Sequence, residues 1–271
     1  MNTTKESPAH KTKPQKSYES NPFKVVFNGF GNMYNINQNM TIVLMVVSVL
    51  GMFGSYGGNG GEVDGSSNLF QSMSPEVIAA IVAAVAVVLI VVFGIGIFLT
   101  TMYSGIASYV ALKTAEGKTV TFKESFTATL KKFWTLFWIN FVVFWKIFGG
   151  LLLFIVPGVR AMLRYNMVHM HVFDDNSSAS EAIQKAKALT KGHLIEVFGV
   201  STASGIIPFI GEAMLVGGQS VMYPQLKELK ASGATPPKPH WLNYLAFIIG
   251  GGFILFFGLI VLIIAAIVQA S

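Results

Sequence analysis

Residues 76 to 103 form a long run dominated by Val, Ile and Ala, longer than the roughly 20 apolar residues that carry a helix across a bilayer. A run of this kind narrows the choices sharply. In lipid each backbone N–H and C=O must find its partner inside the segment, which an α-helix provides. Similar runs recur along the chain. Its composition agrees, at 52% hydrophobic and 12% charged residues, the latter about half the share of an ordinary soluble domain. The expected class is therefore an all-α, polytopic membrane bundle of about six or seven spans, with interfacial amphipathic helices.

The runs place spans near 40–57, 76–103, 133–156, 159–173, 193–206, 209–226 and 241–268. The expected organisation is a disordered cytoplasmic tail (1–21), a membrane bundle (22–230), and a linker with one extra span (231–271). Apolar residues at helical spacing predict amphipathic helices near 22–36, 120–132 and 179–191. In the second of these, Phe122, Phe126 and Leu130 recur every four residues with lysines between them. In the third, Ser178 and Glu181 form a capping-box pattern and Gly192 is a helix stop. Pro157-Gly158 predicts a tight reversal, and "IPFIG" (207 to 211), with Pro208 and Gly211 as its punctuation, predicts a break. The stretch following residue 57 is a Gly/Ser-rich loop.

Lysine placement sets the orientation. With the N-terminus in the cytoplasm, every lysine except Lys146 falls on the cytoplasmic side, as the positive-inside rule requires. The net charge of +6 is then a membrane-surface signal that attracts anionic lipid, and it gives no reason to expect nucleic acid. With no cysteine, thiolate metal sites, disulfides and cysteine nucleophiles are excluded. His169 and His171 are two apart and lack the i, i+4 spacing of a helical metal pair. Asp174 and Asp175 read as a helix end, without the further acids at helical spacing that a magnesium-dependent lipid transferase needs. Glu196 is expected to pair with a cytoplasmic lysine. There is no nucleotide loop, nucleophile elbow or zinc-protease pattern, so no catalytic residue, cofactor or metal is expected.

Three features in order, "TVTFKESFTATLKKF", "LLLFIVPGVRAMLRYNMVHMHVF" and "SASEAIQKAKALTKGHLIEVFGV", carry a resemblance. Across about residues 75–230 the chain resembles the membrane domain attached to some glycerophosphoryl diester phosphodiesterases and related prokaryotic inner-membrane families. In those phosphodiesterases the chemistry belongs to a separate barrel domain. The resemblance therefore implies an architecture in a prokaryotic cytoplasmic membrane and no reaction.

The candidate site is a cluster of charges set in apolar sequence: Lys146, Arg160, Arg164 and Glu212. Arg160 and Arg164, the chain's two arginines, align on one helix face at i, i+4. An arginine deep in lipid costs roughly 2.5–3.5 kcal/mol, so it must face protein, water or headgroups. Arg160 either pairs with Glu212 or snorkels to lipid phosphate. Lys146 either joins the arginines around an anionic head group or snorkels beside Trp145. Two function classes follow. One is a non-enzymatic scaffold or lipid-organising protein, with anionic lipid as partner and a possible protein partner on its N-terminal tail. The other is a carrier for an anionic or lipidic substrate, which requires a cavity lined by Lys146, Arg164 and Glu212.

Overall fold

The computed structural model describes residues 18–56, 74–153, 155–207 and 209–270. Most of the tail read as disordered, the Gly/Ser-rich loop and Pro208 lie outside these residues. Among the described residues the chain is all-α, with helices α1 (Pro22–Ile36), α2 (Gln38–Tyr56), α3 (Pro75–Ala115), α4 (Phe122–Lys131), α5 (Phe133–Leu153), α6 (Ile155–Tyr165), α7 (Val168–Asp174), α8 (Ala179–Leu189), α9 (Leu194–Ser204), α10 (Gly211–Ser232) and α11 (Trp241–Ala270).

Local chemistry sets several boundaries. The Asn21 side chain accepts from the Phe23 and Lys24 N–H groups, with Pro22 at the first helical position of α1, where a missing N–H costs nothing. Thr121 caps α4 by accepting from Glu124 N–H. The capping box of α8 forms as its sequence pattern predicts, with Ser178 and Glu181 bonded reciprocally. Gly192 adopts φ +91° shortly beyond the end of α8.

α3 has 41 residues and so is about 60 Å long at 1.5 Å per residue. From Pro75 to Thr100 it is exposed apart from the half-buried Ile78 and Ile97; from Thr101 onward it enters the bundle. α3 and α5 are the two helices long and apolar enough to cross a membrane among the described residues. α9, read as a span from hydropathy, has 11 residues and rises only about 16 Å, half the roughly 30 Å of a hydrocarbon core. The single apolar run 159–173 is likewise divided between α6 and α7.

The bundle closes around α10. Its most extensive packing is with α1, where the backbones meet at Gly29 and Gly217. A Cβ on Gly29 would sit 2.0 Å from the Gly217 carbonyl oxygen. Val25, Val26 and Met33 of α1 are buried there with Met214, Tyr223 and Leu226 of α10. α2 runs antiparallel to α3, with Asn37 bonded to Thr114 at one end and Ser48 Oγ 3.5 Å from Tyr103 Oη further along.

One expectation changes in detail. Pro157-Gly158, read as a tight reversal, lies within α6 (Ile155–Tyr165). Pro157 lies inside the first turn of α6, where backbone N–H groups have no partner in the helix, so its lack of one costs nothing. Gly158 instead lets α5 and α6 approach, since a Cβ on Gly150 would lie 2.7 Å from the Gly158 nitrogen. α4 is turned opposite to a soluble amphipathic helix. Its Ser125 and Thr129 are buried against α3, while Phe122, Phe126 and Leu130 are exposed.

Candidate functional site

The four residues singled out from sequence lie on three helices. Lys146, exposed on α5, places its ammonium 3.4 Å from the Tyr165 hydroxyl and 5.1 Å above that ring. Arg160 is exposed and Arg164 half-buried on α6. The Arg164 carbonyl accepts a hydrogen bond from Thr190 Oγ1 at 3.3 Å, which ties the end of α6 to the end of α8. Glu212, exposed in the first turn of α10, faces the Tyr103 hydroxyl. No ion pair joins any two of the four among the described residues.

The structure instead assembles a polar cluster where α7, α8 and α10 converge. Asp175, just past α7, accepts from His171 Nδ1 (3.0 Å), Lys185 Nζ (3.2 Å) and Lys227 Nζ (2.8 Å). Asp174 accepts from Tyr223 Oη at 2.7 Å and from Lys227. Asn176 follows with φ 52°, a left-handed conformation that Asn tolerates better than most residues. It reverses the chain into α8, and the Lys132 ammonium bonds its side-chain oxygen. His171 is buried, and its Nε2 has no partner among the described residues. Beside the cluster opens a cleft of about 360 Å³ lined by Leu112, Glu116, Asp174, Tyr223, Lys227 and Glu228, among others.

Searches among family models, curated proteins and solved structures return no match for this chain. The reading of the site therefore rests on its geometry.

Burial raises the Asp175 carboxyl, but hydrogen bonds from Lys227, His171 and Lys185 outweigh it and hold the group well below the usual carboxylate range. Burial lowers the Lys227 ammonium, and the two aspartates more than reverse this. The folded Asp175 thus titrates below its unfolded value near 3.9. Its stabilising contribution is complete above that value and is lost as pH falls through the folded pKa. Asp175→Asn is expected to lower the thermal midpoint in detergent at pH 7, with the gap to wild type closing as pH drops below about 4. A gap independent of pH would overturn this account.

A second network holds the start of the described chain. Glu196, buried in the first turn of α9, accepts from Tyr18 Oη at 3.1 Å and lies 3.2 Å from His193 Nδ1. Its partners are thus a tyrosine and a histidine, in place of the lysine expected from sequence. Burial and then the Glu196 charge push the Tyr18 phenol up. Asn243 Nδ2 donates to the Ser20 carbonyl at 2.7 Å, joining the same segment to α11.

Sequence reasoning missed the α7–α8–α10 cluster, although half its signal was present. His171 and Asp175 are four apart, as are Tyr223 and Lys227, so each pair shares a helix face. Nothing in the order of residues shows that the two faces meet.

Proposed function

We propose that this chain is a non-enzymatic, multi-pass protein of a prokaryotic cytoplasmic membrane, with its N-terminus in the cytoplasm, that organises lipid or supports a partner protein. The observation that carries this reading is the orientation of α4. Its hydroxyl face is buried and its Phe122, Phe126 and Leu130 face outward, with Lys123 and Lys131 next to them in the sequence. In water that arrangement forfeits about 25 cal/mol for each Å² of apolar surface left exposed. At a bilayer surface the aromatic face enters the acyl boundary, and the lysines meet anionic headgroups. The exposed apolar length of α3 supports the same setting, because its 26 residues from Pro75 to Thr100 rise about 39 Å, enough to cross a bilayer.

The carrier reading asked for a cavity walled by Lys146, Arg164 and Glu212. The cleft beside Asp174 has none of these in its lining, and the ion pairs that a scaffold would make of the same groups are missing too among the described residues, so the preference for the scaffold rests on α4.

The absence of cysteine makes one experiment direct. Single variants Glu76→Cys, Ser178→Cys and Ser232→Cys are expressed, and sealed cells are treated with an impermeant maleimide. Glu76→Cys is expected to label in intact cells, and the other two only after lysis. The converse pattern would invert the orientation, and recovery of the chain from the soluble fraction would sink the membrane reading. Flux of an anionic solute through vesicles containing the purified protein would establish the carrier in place of the scaffold.

A further inference from the structure

We infer that the outer face of α6 holds the phosphate of a membrane phospholipid between Arg160 and Arg164, with the acyl chains lying along the neighbouring apolar surface. This deepens the lipid-organising reading and rests on it. Arg160 and Arg164 are one turn apart on one side of α6, and Val156 precedes Arg160 by one more turn on the same side. Val156 is 74% exposed and Met162 46%, so the guanidinium groups rise from a hydrophobic surface. Neither arginine side chain has a hydrogen bond or an ion pair among the described residues.

Several lysines, by contrast, are paired inside the chain. Lys113 and Lys118 share Glu116, Lys185 pairs with Asp175, and Lys227 holds both Asp174 and Asp175. A guanidinium also presents its donors as a planar fork and is more weakly hydrated than an ammonium. Two permanent charges on an apolar face need an anion from outside the chain. The anion abundant in a membrane is the lipid phosphate, whose oxygens match the planar donor fork of arginine.

The test uses the full chain, purified in detergent and titrated with phosphatidylglycerol, with bound lipid counted by native mass spectrometry. Diacylglycerol of the same chains, which lacks the phosphate, and inorganic phosphate serve as the other probes. Phosphatidylglycerol is expected to stay on wild type and to bind Arg160→Gln/Arg164→Gln about tenfold more weakly, the effect of losing about 1.4 kcal/mol. Diacylglycerol is expected to bind neither protein. Arg160→Gln alone, at an exposed position, should keep the fold and weaken binding several-fold, which keeps the test decisive if the double variant fails to fold. Lys230→Gln/Lys238→Gln, at exposed positions given no lipid contact, should leave this retained lipid in place.

Equal binding of phosphatidylglycerol to wild type and Arg160→Gln, or equal retention of diacylglycerol and phosphatidylglycerol, would overturn the site. So would displacement by millimolar inorganic phosphate bound without lipid, which would make it a free-phosphate site. If the lysine pair rather than the arginine pair abolishes retention, the lipid-organising reading survives and the α6 site falls. If no variant or wild type holds any lipid, both fall together.

Discussion

Asn37→Ala is expected to lower the stability of the detergent-solubilised protein by about 2–3 kcal/mol, the usual cost of leaving buried polar groups without partners. Asn37 sits between α1 and α2 and is almost fully buried. Its Nδ2 donates to Thr114 Oγ1 at 2.9 Å and to the Lys118 carbonyl at 3.0 Å, while its Oδ1 accepts from Val120 N–H at 2.6 Å. One amide thus ties the bend between the first two helices to the loop joining α3 and α4. Alanine removes all three bonds. The Lys118 carbonyl is near solvent and can recover with water, and the Thr114 hydroxyl can turn to a carbonyl of its own helix. Val120 N–H, on a buried residue, has neither option and carries most of the cost. Thermal unfolding followed by circular dichroism should show a midpoint at least about 5 °C lower, from the usual scaling for chains above 150 residues. Asn37→Asp separates geometry from packing. It keeps the acceptor for Val120 but turns a carboxylate oxygen toward the Lys118 carbonyl, so it too should be destabilised at pH 7. A wild-type midpoint for Asn37→Ala would mean that the loop is held by other contacts.

The Asn37 bridge also marks a limit on what could be read in advance. Helical periodicity placed the amphipathic segments because it is local: Phe122, Phe126 and Leu130 recur every four residues whatever surrounds them. The capping box at Ser178 and Glu181 is local in the same sense. Which face of α4 turns inward is not, because it depends on Gly105. A Cβ there would meet the Thr129 methyl at 2.4 Å and Leu136 at 2.8 Å, so the missing side chain on α3 is what admits Thr129. Hydropathy windows likewise register apolar content but not helix length. They took 193–206 for a span, whereas α9 ends at Ser204 after 11 residues. At the candidate site the isolation of Arg160 and Arg164 in apolar sequence was legible. The position of Glu212 opposite Tyr103, away from any ion pair with Arg160, was set by how α10 packs on α3.

Gly217→Val should have the largest effect of any single change. Gly29 and Gly217 face each other where α1 crosses α10, and both helices are otherwise lined there by buried side chains. A Cβ on Gly217 would lie 2.5 Å from Phe30 N and 2.7 Å from Phe30 Cα. These are backbone atoms of a helix, so no side-chain rotation can make room. Only a shift of α1 as a body relieves the clash, and that shift unpacks Val25, Val26 and Met33 together. Overpacking in a core costs typically 1–3 kcal/mol when side chains can adjust; here the loss should reach about 3 kcal/mol or more, since close backbone approach is what small residues at a helix crossing provide. Gly217→Ala should give a smaller loss of the same sign, although alanine is the better helix former by about 1 kcal/mol. That opposition makes the alanine variant the sharper measurement. If α1 lay loosely on the bundle, Gly217→Ala would raise the thermal midpoint through helix propensity alone. If the two backbones are locked together as the geometry has them, the midpoint falls, and falls further with valine. Gly31, with open space around its Cβ position, supplies the control on α1, where Gly31→Ala should stabilise.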